Sequence, residues 1–395
     1  MNNMSLLQVA LSLEQEIVAV RRHLHQYPEL GFQEFITSAY VAGHLEQLGL
    51  QVQRDVAGTG VVALLETGRP GPCIAVRADM DALPLLERTG LPYASRHEGV
   101  MHACGHDGHM AMVLGAARLL TGLKHELAGT VKFIFQPAEE MLGGARHMID
   151  AGVLDSPRVD GIIGLHLWPD LPTGRFGVKA GTIMASMDHV DITVHGRSSH
   201  GAAPHQGVDA IIAAAQVLSA LQVLISRESD PADAVVLSMG SIHGGSIPNI
   251  IADQVEIRGT VRAVNSAARE RMRARVTELA QAVTAGMNAR ADVQYEFGYP
   301  PTVNDDQWIS YAEKALYELY GEKAIQRLEH AQMTSEDMAY YMERVPGAFL
   351  LIGTGGEGRG SFPLHHPELA VDEKSLTYGA AYLAQFVRNF LRDKD

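Results

Sequence analysis

Strand-like and helix-like segments alternate from residue 1 to about residue 184, and this alternation limits the chain to few architectures. The runs GVVALLE, CIAVRADM, TVKFIFQPAEE and GIIGLHLWP are apolar and rich in β-branched residues, which predicts strands. Helical periodicity, as in GHMAMVLGAARLLTGL, predicts helices between them. Strands that alternate with helices form a mostly parallel sheet covered on both faces, so we predict an α/β fold.

Residues 187–297 show a different pattern, in the order strand, helix, strand, strand, helix, strand. This order is typical of a ferredoxin-like α/β unit with two layers. The earlier alternation resumes after it, in SEDMAYYM, GAFLLIGTG and EKSLTYGAAYLAQFVRNFL. We therefore predict a discontinuous first domain over residues 1–186 and 298–395, and an inserted domain over residues 187–297.

Composition excludes several classes of partner. A formal net charge of -14 argues against nucleic acid and anionic membranes, which proteins bind through Lys and Arg. The first 26 residues resemble an amphipathic helix and lack the features of a signal peptide, and no run of about 18 uncharged apolar residues is present. The two cysteines imply no disulfide framework. We expect a cytoplasmic protein that binds neither nucleic acid nor membrane.

The stretch HACGHDGHMAM, residues 102–112, concentrates metal-capable side chains at the start of a predicted helix. Cys104 and His106 flank a glycine, so both can point to the same side of an irregular segment. A thiolate and an imidazole suit zinc, nickel or cobalt better than magnesium or calcium. Alternatively, the cysteine is a small buried hydrophobe and the histidines cap the helix. Packing or capping suits His102 and His109 better than metal binding.

Other residues of these types end apolar strands or lie in a proline-flanked loop: Asp79, Asp81, Glu139, Glu140, His166, His365 and His366. The carboxyl ends of parallel strands are where α/β sheets place their sites. Pro137 interrupts its strand just before Glu139 and Glu140, so both carboxylates can turn into one site. One could bind a metal while the other acts as general base. The pair could instead only start a helix, and His166 could be a satisfied core residue.

Eight motifs occur in the order found in M20-type metallopeptidases, which the chain resembles from about residue 16 to residue 373. They are RRHLHQYPELGFQE, RADMDALPL, HACGHDGHMAM, FQPAEEMLGGARHMI, GLHLWP, GRSSHGAAPHQGVDAI, SIPNIIADQVEIRGTVRA and FPLHHPE. The resemblance is strongest to the amidohydrolase branch, with its aminoacylases, hippurate hydrolases and indoleacetyl-amino-acid hydrolases. It implies a two-metal zinc-peptidase-like catalytic domain interrupted by a lid that mediates dimerisation, and hence a homodimer or higher homo-oligomer.

The resemblance also implies roles for individual residues. The ligands of two divalent ions, which could be Zn, Mn, Co or Ni, would be Cys104, His106, Glu140, His166 and His365. Glu139 would be the general base, and His200 would steady the oxyanion. Asp79 and Asp81 would lie behind the ligands, where a carboxylate fixes an imidazole's tautomer. Asn249 and Arg262 would bind the substrate's carboxylate. Gly201, where alanine is commoner in relatives, could loosen the turn at His200.

The function implied is metal-dependent hydrolysis of the amide bond of N-acyl amino acids, with an N-acetyl, N-benzoyl or similar group, to a carboxylic acid and a free amino acid. Alternatives within the family are an N-acetyl-diaminopimelate deacetylase and a metallo-dipeptidase. Two further alternatives are a metal-binding protein without activity and an enzyme whose nucleophile is Cys104 with a histidine base.

Overall fold

A computed structural model describes residues 5–356 and 362–392, apart from the side chains of Met141 and Leu142. The chain divides into two compact units, one formed by residues 1–183, 303–330 and 340–395 and the other by residues 184–302 and 331–339. These limits lie within a few residues of the predicted boundaries. The difference is the segment 331–339, which sequence analysis assigned to the first domain and which clusters with the second unit.

The first unit contains an eight-stranded sheet in the spatial order β1-β2-β4-β3-β5-β14-β6-β13. Its strands are β1 (Gln51–Val56), β2 (Gly60–Glu66), β3 (Cys73–Asp79), β4 (Thr130–Gln136), β5 (Gly161–Pro172), β6 (Phe176–Val178), β13 (Ile325–Arg327) and β14 (Gly347–Gly355). The central strands β4, β3, β5 and β14 are parallel to one another, whereas β1 pairs antiparallel with β2, β2 with β4, and β6 with β14. The sheet is therefore mixed, with the predicted parallel arrangement confined to its centre and to the β6–β13 pair.

The helices in and around this unit are α1 (Leu6–Ser12), α2 (Glu14–Gln26), α3 (Phe35–Gln47), α4 (His106–Gly122), α5 (Glu139–Leu142), α6 (Gly144–Asp150), α9 (Asp306–Tyr320), α10 (Met338–Met342) and α11 (Lys374–Arg392). Helix α4 is buried along almost its whole length and packs against α2 and α11. A helix enclosed on most sides is apolar nearly all round, as MAMVLGAARLL is. This packing fixes the first turn of α4, which carries His106.

Strand register brings the ends of the central strands to one level. Arg77 of β3 lies opposite Gly164 of β5, and Asp79 lies opposite Gln136 of β4. Asp79 lies two residues after Arg77 and His166 two residues after Gly164. Side chains two residues apart in a strand point to the same face of the sheet, so Asp79 and His166 are neighbours on one face. Sequence analysis placed His166 at the end of its strand, but β5 continues to Pro172 alongside β14. His166 nevertheless lies where the neighbouring strand β3 ends.

The second unit contains β8 (Asp188–His195), α7 (Ala210–Val223), β9 (Val235–Gly244), β10 (Gln254–Ala263), α8 (Ser266–Gly286) and β11 (Arg290–Phe297). Its sheet is antiparallel in the order β11-β8-β10-β9, the topology of the predicted ferredoxin-like unit. Burial alternates along β8, as expected for a sheet covered on one face. The short strands β7 (Gly181–Met184) and β12 (Thr302–Asn304), at the ends of this stretch of chain, pair with each other.

Among the residues described, one helix has the length and apolar composition that would allow it to cross a membrane. It is α7 with the π-helical turn that extends it to Glu228, and 33% of its most apolar window is buried. Its buried face packs on the sheet of the second unit: Ala210, Ala213, Ala214, Val217 and Leu221 belong to that unit's core. A helix that packs in this way fits a surface helix of a globular unit.

Candidate metal centre

The first side chains of the centre come from the loop that ends at α4. Gly105 separates Cys104 from His106 and adopts a left-handed conformation at φ 87°. A Cβ atom at Gly105 would lie 3.1 Å from the Leu167 side chain, so glycine serves both the backbone turn and the close approach of β5. The turn brings the Cys104 thiol and the His106 imidazole to the carboxyl end of the sheet.

A second turn presents the two carboxylates after β4. Ala138 lies at φ 52° and ψ 48°, a left-handed conformation that is strained for a residue with a side chain. The buried Glu34 carboxylate holds this turn, because Oε1 accepts the Ala138 N–H at 2.9 Å and Oε2 accepts the Thr59 hydroxyl. Glu139 and Glu140 follow as the first turn of α5. The predicted role of Pro137 is therefore shared with Ala138 and Glu34, which sequence analysis missed.

The ligating atoms of the predicted residues lie close together in three overlapping groups, within 4.8 Å of one another in each. The groups are Cys104 with His106 and His166, Cys104 with Glu140 and His365, and His106 with Glu139 and Glu140. Glu140 points one oxygen toward each of two histidines: Oε1 is 3.8 Å from His106 Nε2, and Oε2 is 3.5 Å from His365 Nε2. Overlap of the groups through Cys104 and Glu140 suits two adjacent cations.

Hydrogen bonds select the tautomers of two histidines. His106 Nδ1 lies 2.9 Å from the Asp81 carbonyl oxygen, and His166 Nδ1 lies 2.8 Å from the Leu167 carbonyl oxygen. A carbonyl only accepts, so both Nδ1 atoms donate, and Nε2 is the nitrogen of each ring that a cation can bind in place of a proton. His166 Nε2 is 3.5 Å from Cys104 Sγ. Both imidazoles thus present a ligating nitrogen to the centre of the cluster.

The cluster fits a divalent cation on two further grounds. His106 Nε2 and Glu140 Oε1 are buried without a hydrogen-bond partner among the residues described, which is costly unless another group binds them. Burial alone would lower the pKa of His106, but Asp79, Asp81 and Glu140 raise it to about 10. The surroundings of this ring are therefore strongly anionic. A site with a cysteine, histidines and one carboxylate ligand suits zinc and neighbouring transition metals.

Comparison with known proteins agrees with this geometry. Residues 75–389 match the model of peptidase family M20/M25/M40. The N-acetyl-L-cysteine deacetylase of Bacillus subtilis is 40% identical over 381 residues, which cover 96% of this chain and 89% of the relative. The hippurate hydrolase of Campylobacter jejuni is 36% identical over 389 residues, which cover 98% of this chain and 100% of the relative. The chain belongs to this M20 family.

Among solved structures, the Bacillus subtilis YXEP protein, described as a dinuclear metal binding peptidase from the M20 family, has a TM-score of 0.85. It is 37% identical, and the match covers 96% of this chain and 98% of that one. The family and the fold predicted from the ordered motifs are confirmed. The predicted enzyme class, a metal-dependent amidohydrolase, is confirmed as well.

Asp79 and Asp81 of the M20 chain support the centre in different ways. Asp81 holds two candidate ligands, because its backbone oxygen accepts from His106 and its Oδ2 accepts the Glu140 N–H at 3.0 Å. Asp79 Oδ2 accepts from Arg77 at 2.9 Å, and Asp79 Oδ1 lies 2.6 Å from His109 Nδ1. His106 Nδ1 donates to the Asp81 backbone carbonyl and also lies 3.3 Å from Asp81 Oδ1, so the expected carboxylate approaches this candidate ligand.

His109 of the M20 chain has both ring nitrogens engaged. The Leu167 N–H donates to Nε2 at 3.0 Å, so Nδ1 carries the proton that Asp79 accepts. With no free lone pair, His109 links Asp79 to β5 beside His166. This contact agrees with the expected packing role. Arg77, which sequence analysis did not consider, completes the support for Asp79. Both side chains are buried, and a buried charge destabilises the fold unless it is paired with an opposite charge, as these two are.

A second buried network anchors α4 on the opposite side. Arg21 Nε lies 2.7 Å from Asp107 Oδ2, and His25 Nδ1 lies 2.8 Å from the same oxygen. Burial alone would raise the pKa of Asp107, but Arg21 and His25 hold it well below its usual value. These two residues of α2 explain the RRHLHQ motif that sequence analysis noted without assigning a role. They fix the residue that directly follows His106.

His365 and His366 differ in their surroundings. His365 has φ 64°, its N–H donates to the Ala103 carbonyl at 2.7 Å, and its ring approaches Glu140. His366 stacks on Phe362 at 4.3 Å between ring centroids. Its Nδ1 also accepts the Glu368 N–H at 3.1 Å. The geometry thus favours His365 as the candidate ligand, as the motif predicts.

His200 and Asn249 occupy adjoining loops of the second unit. The His200 backbone forms an antiparallel bridge with Ile250, and the Gly201 N–H donates to the Asn249 carbonyl at 2.8 Å. A Cβ atom at Gly201 would lie 3.1 Å from that oxygen, so the glycine allows a close loop contact. The Ala202 N–H donates to His200 Nδ1 at 3.0 Å, which leaves the proton on Nε2.

Arg262 lies half-buried on β10 in the second unit. Its Nη1 donates to the Met333 carbonyl at 3.1 Å and lies 3.5 Å from the Ser335 hydroxyl. Burial lowers its pKa. Among the residues described, no hydrogen bond engages Nη2 or Nε, which leaves one side of the guanidinium for a carboxylate.

Proposed function

We propose that this protein hydrolyses the amide bond of N-acyl amino acids and releases a carboxylic acid and a free amino acid. The observation that carries the proposal is the cluster of Cys104, His106, Glu140, His166 and His365 with the adjacent carboxylate of Glu139. The deacetylase and hippurate hydrolase relatives act, by their names, on amino acids blocked at nitrogen. The diaminopimelate deacetylase and dipeptidase alternatives gain no support from these relatives, and the non-catalytic and cysteine-nucleophile alternatives do not fit the enzyme class.

The proposed centre holds two divalent ions, which would be Zn, Mn, Co or Ni. When bound, such ions supply Lewis acidity that polarises the amide carbonyl and lowers the pKa of water. His106 and His166 would hold the ions through Nε2, Cys104 as the thiolate, Glu140 through its carboxylate and His365 through its ring. Asp81 keeps His106 and Glu140 in place through its backbone and side-chain oxygens. Such support from behind the ligands commonly changes metal affinity by about 10- to 100-fold.

Glu139 is the proposed general base. Its carboxylate accepts a proton from the attacking water, and the resulting acid returns that proton to the departing nitrogen. Its position beside Glu140 and His106, with only 6% of its surface exposed, suits this role. A base shielded from bulk water transfers its proton within the site and does not lose it to solvent.

Three residues of the second unit complete the proposal. His200 donates from Nε2 to the developing oxyanion, and the tautomer set by the Ala202 N–H suits this donation. Arg262 and Asn249 bind the substrate's α-carboxylate. The free side of the Arg262 guanidinium supports this assignment, since guanidinium binds carboxylate through two parallel hydrogen bonds.

We also propose that the protein is a homodimer joined through its second unit, and that it acts in the cytoplasm. Strand β9 lies at the edge of its sheet and, within the part of the chain that the structure describes, pairs with β10 alone. Such edges readily pair with a second chain. Ile242 of β9 lies opposite the buried Ile257, yet it is 47% exposed. Ile211 and Ile212 of α7 are exposed as well. Large apolar side chains left exposed in this way favour a symmetric contact between copies.

The test is amine release from a matched panel of N-acetyl, N-benzoyl and N-indoleacetyl amino acids and unblocked dipeptides. Each is assayed after chelation and after separate addition of Zn, Mn, Co or Ni. We expect metal-dependent hydrolysis confined to the blocked compounds, and the most effective ion would identify the preferred metal. Cleavage of the unblocked dipeptides alone would contradict the proposal.

A further inference from the structure

An apolar recess in the first unit adjoins the candidate ligand Glu140. It has a volume of about 260 Å³. Its walls are formed by Leu30, Ala82, Leu83, Pro84 and Ala138, with Gln33 at its edge. Asp81 and Glu140 border it on the side of the metal centre. The recess therefore opens beside a candidate ligand, and its walls are mainly apolar.

Gly31 lies against the wall of this recess. A Cβ atom there would lie 3.0 Å from Ala138 Cβ and 3.6 Å from Asp81 Oδ2, both of which line the recess. A side chain at position 31 would therefore press on Ala138, which forms part of the wall of the recess. Glycine thus allows the segment 30–33 and the turn after β4 to approach each other closely.

The apolar surface continues around the candidate ligands. Leu83 belongs to a small cluster separate from the main core, together with Leu85, Met101, Ala103, Leu364 and Leu369. Leu364 directly precedes His365, and Ala103 directly precedes Cys104. Leu83 and Leu364 remain partly exposed. Partly exposed leucines grouped beside polar groups of this kind are typical of a ligand pocket.

From these observations we infer that the recess is the acyl-group pocket and that it selects aromatic acyl groups over acetyl. This inference rests on the proposed amidohydrolase function. An apolar cavity of about 150 Å³ is large enough to hold benzene. The recess therefore accommodates a benzoyl ring, whereas an acetyl methyl group would leave most of it unfilled. The amide carbonyl of a bound acyl group would point toward Glu140 and the metal centre.

The first measurement compares kcat/KM for N-benzoylglycine and N-acetylglycine with the metal-loaded enzyme. Each methylene-sized group buried in an apolar pocket is worth about a fourfold gain, so we expect a preference for benzoyl on the order of 100-fold. Equal values for the two substrates would overturn the inference.

The second measurement fills the recess. Leu83→Trp should lower kcat/KM for the benzoyl substrate by at least about tenfold and leave that for the acetyl substrate within about threefold. Gln33→Trp should act in the same direction, and because Gln33 is exposed it does not endanger folding. Leu86→Trp is the matched control, since Leu86 is 49% exposed and does not line the recess. It should change neither value.

The outcomes separate the inference from the function on which it rests. If both substrates lose activity equally in Leu83→Trp and Gln33→Trp, or neither loses any, the recess is not the acyl pocket, while hydrolysis by the unmodified enzyme still upholds the proposed function. If the unmodified enzyme hydrolyses neither substrate with any of the metals, the proposed function itself fails.

Discussion

Glu139 and Glu140 are adjacent in the chain but have different proposed roles. Replacing each with glutamine in turn distinguishes the two roles. Glu139→Gln removes the base but not a ligand, so metal content should stay near that of the unmodified enzyme while kcat falls by about 10²- to 10⁴-fold. Glu140→Gln is the matched change, and it should lower metal content as well. Metal analysis and steady-state kinetics of both variants check this. Near-normal kcat in Glu139→Gln would contradict the proposed base.

The two cysteines offer an internal comparison for metal binding. Burial raises the pKa of the Cys73 thiol to about 11, and Cys73 lies outside the centre, so it should resist iodoacetamide at neutral pH with or without metal. Cys104 should react in the chelated protein and be protected once metal is restored. Peptide mass spectrometry measures both sites in one sample. Equal modification of Cys104 in both states would argue against its role as a ligand.

At the scale of residues, sequence analysis found side chains that carry their chemistry in short motifs. The proposed ligands and Glu139 were all assigned in this way. It missed Glu34 and Arg77, whose roles depend on partners 104 and 59 positions away, Ala138 and Gln136. A buried charge on an apolar strand, as at Arg77, is a signal that a partner must exist. The sequence does not say which residue that partner is.

The short turn between β4 and α5 positions Glu139 and Glu140, and Glu34 holds this turn in place. Glu34→Ala leaves the buried Ala138 N–H without an acceptor, so we expect a loss of roughly 1–3 kcal/mol in the free energy of unfolding. We also expect metal affinity to fall by about 10- to 100-fold, since Glu140 is no longer held. Denaturant unfolding of the metal-free protein and a metal-binding titration measure the two effects.

Thr59→Val is the control for this turn, because it removes the other partner of Glu34 and leaves the Ala138 N–H bonded. It should cost stability but change metal affinity little. If both variants keep the affinity of the unmodified protein, Glu34 is a structural residue only.

Elements with a strong pattern were predicted well, and edge elements were not. The apolar strands β3, β4 and β5 and the helix α4 lie close to their expected positions. Strand β1 was missed because QVQRDV is mostly exposed and lacks the apolar alternation of a half-buried strand. The antiparallel direction of β2 against β4 was missed because strand pairing across the sheet depends on contacts distant in sequence.

For the whole molecule, the proposed dimer gives the clearest prediction. Ile242→Lys places a charge on the exposed apolar surface of the second unit and should shift the protein from dimer to monomer in size-exclusion chromatography with light scattering. Tyr317→Lys is the control, because Tyr317 is a 62% exposed aromatic residue of the first unit. A dimer that persists in Ile242→Lys, or a monomer in the unmodified protein, would contradict this interface.

The assignment of residues 331–339 to the second unit has a consequence for protein engineering. The segment follows β13 and α9 in the chain, yet it supplies the carbonyl of Met333 to Arg262 and the Gln332 and Thr334 carbonyls to the Ala185 N–H. The second unit therefore cannot be moved to another protein as residues 184–302 alone. Without residues 331–339, the Arg262 guanidinium and the Ala185 N–H would lose these acceptors, so a chimera built for altered specificity must include both segments.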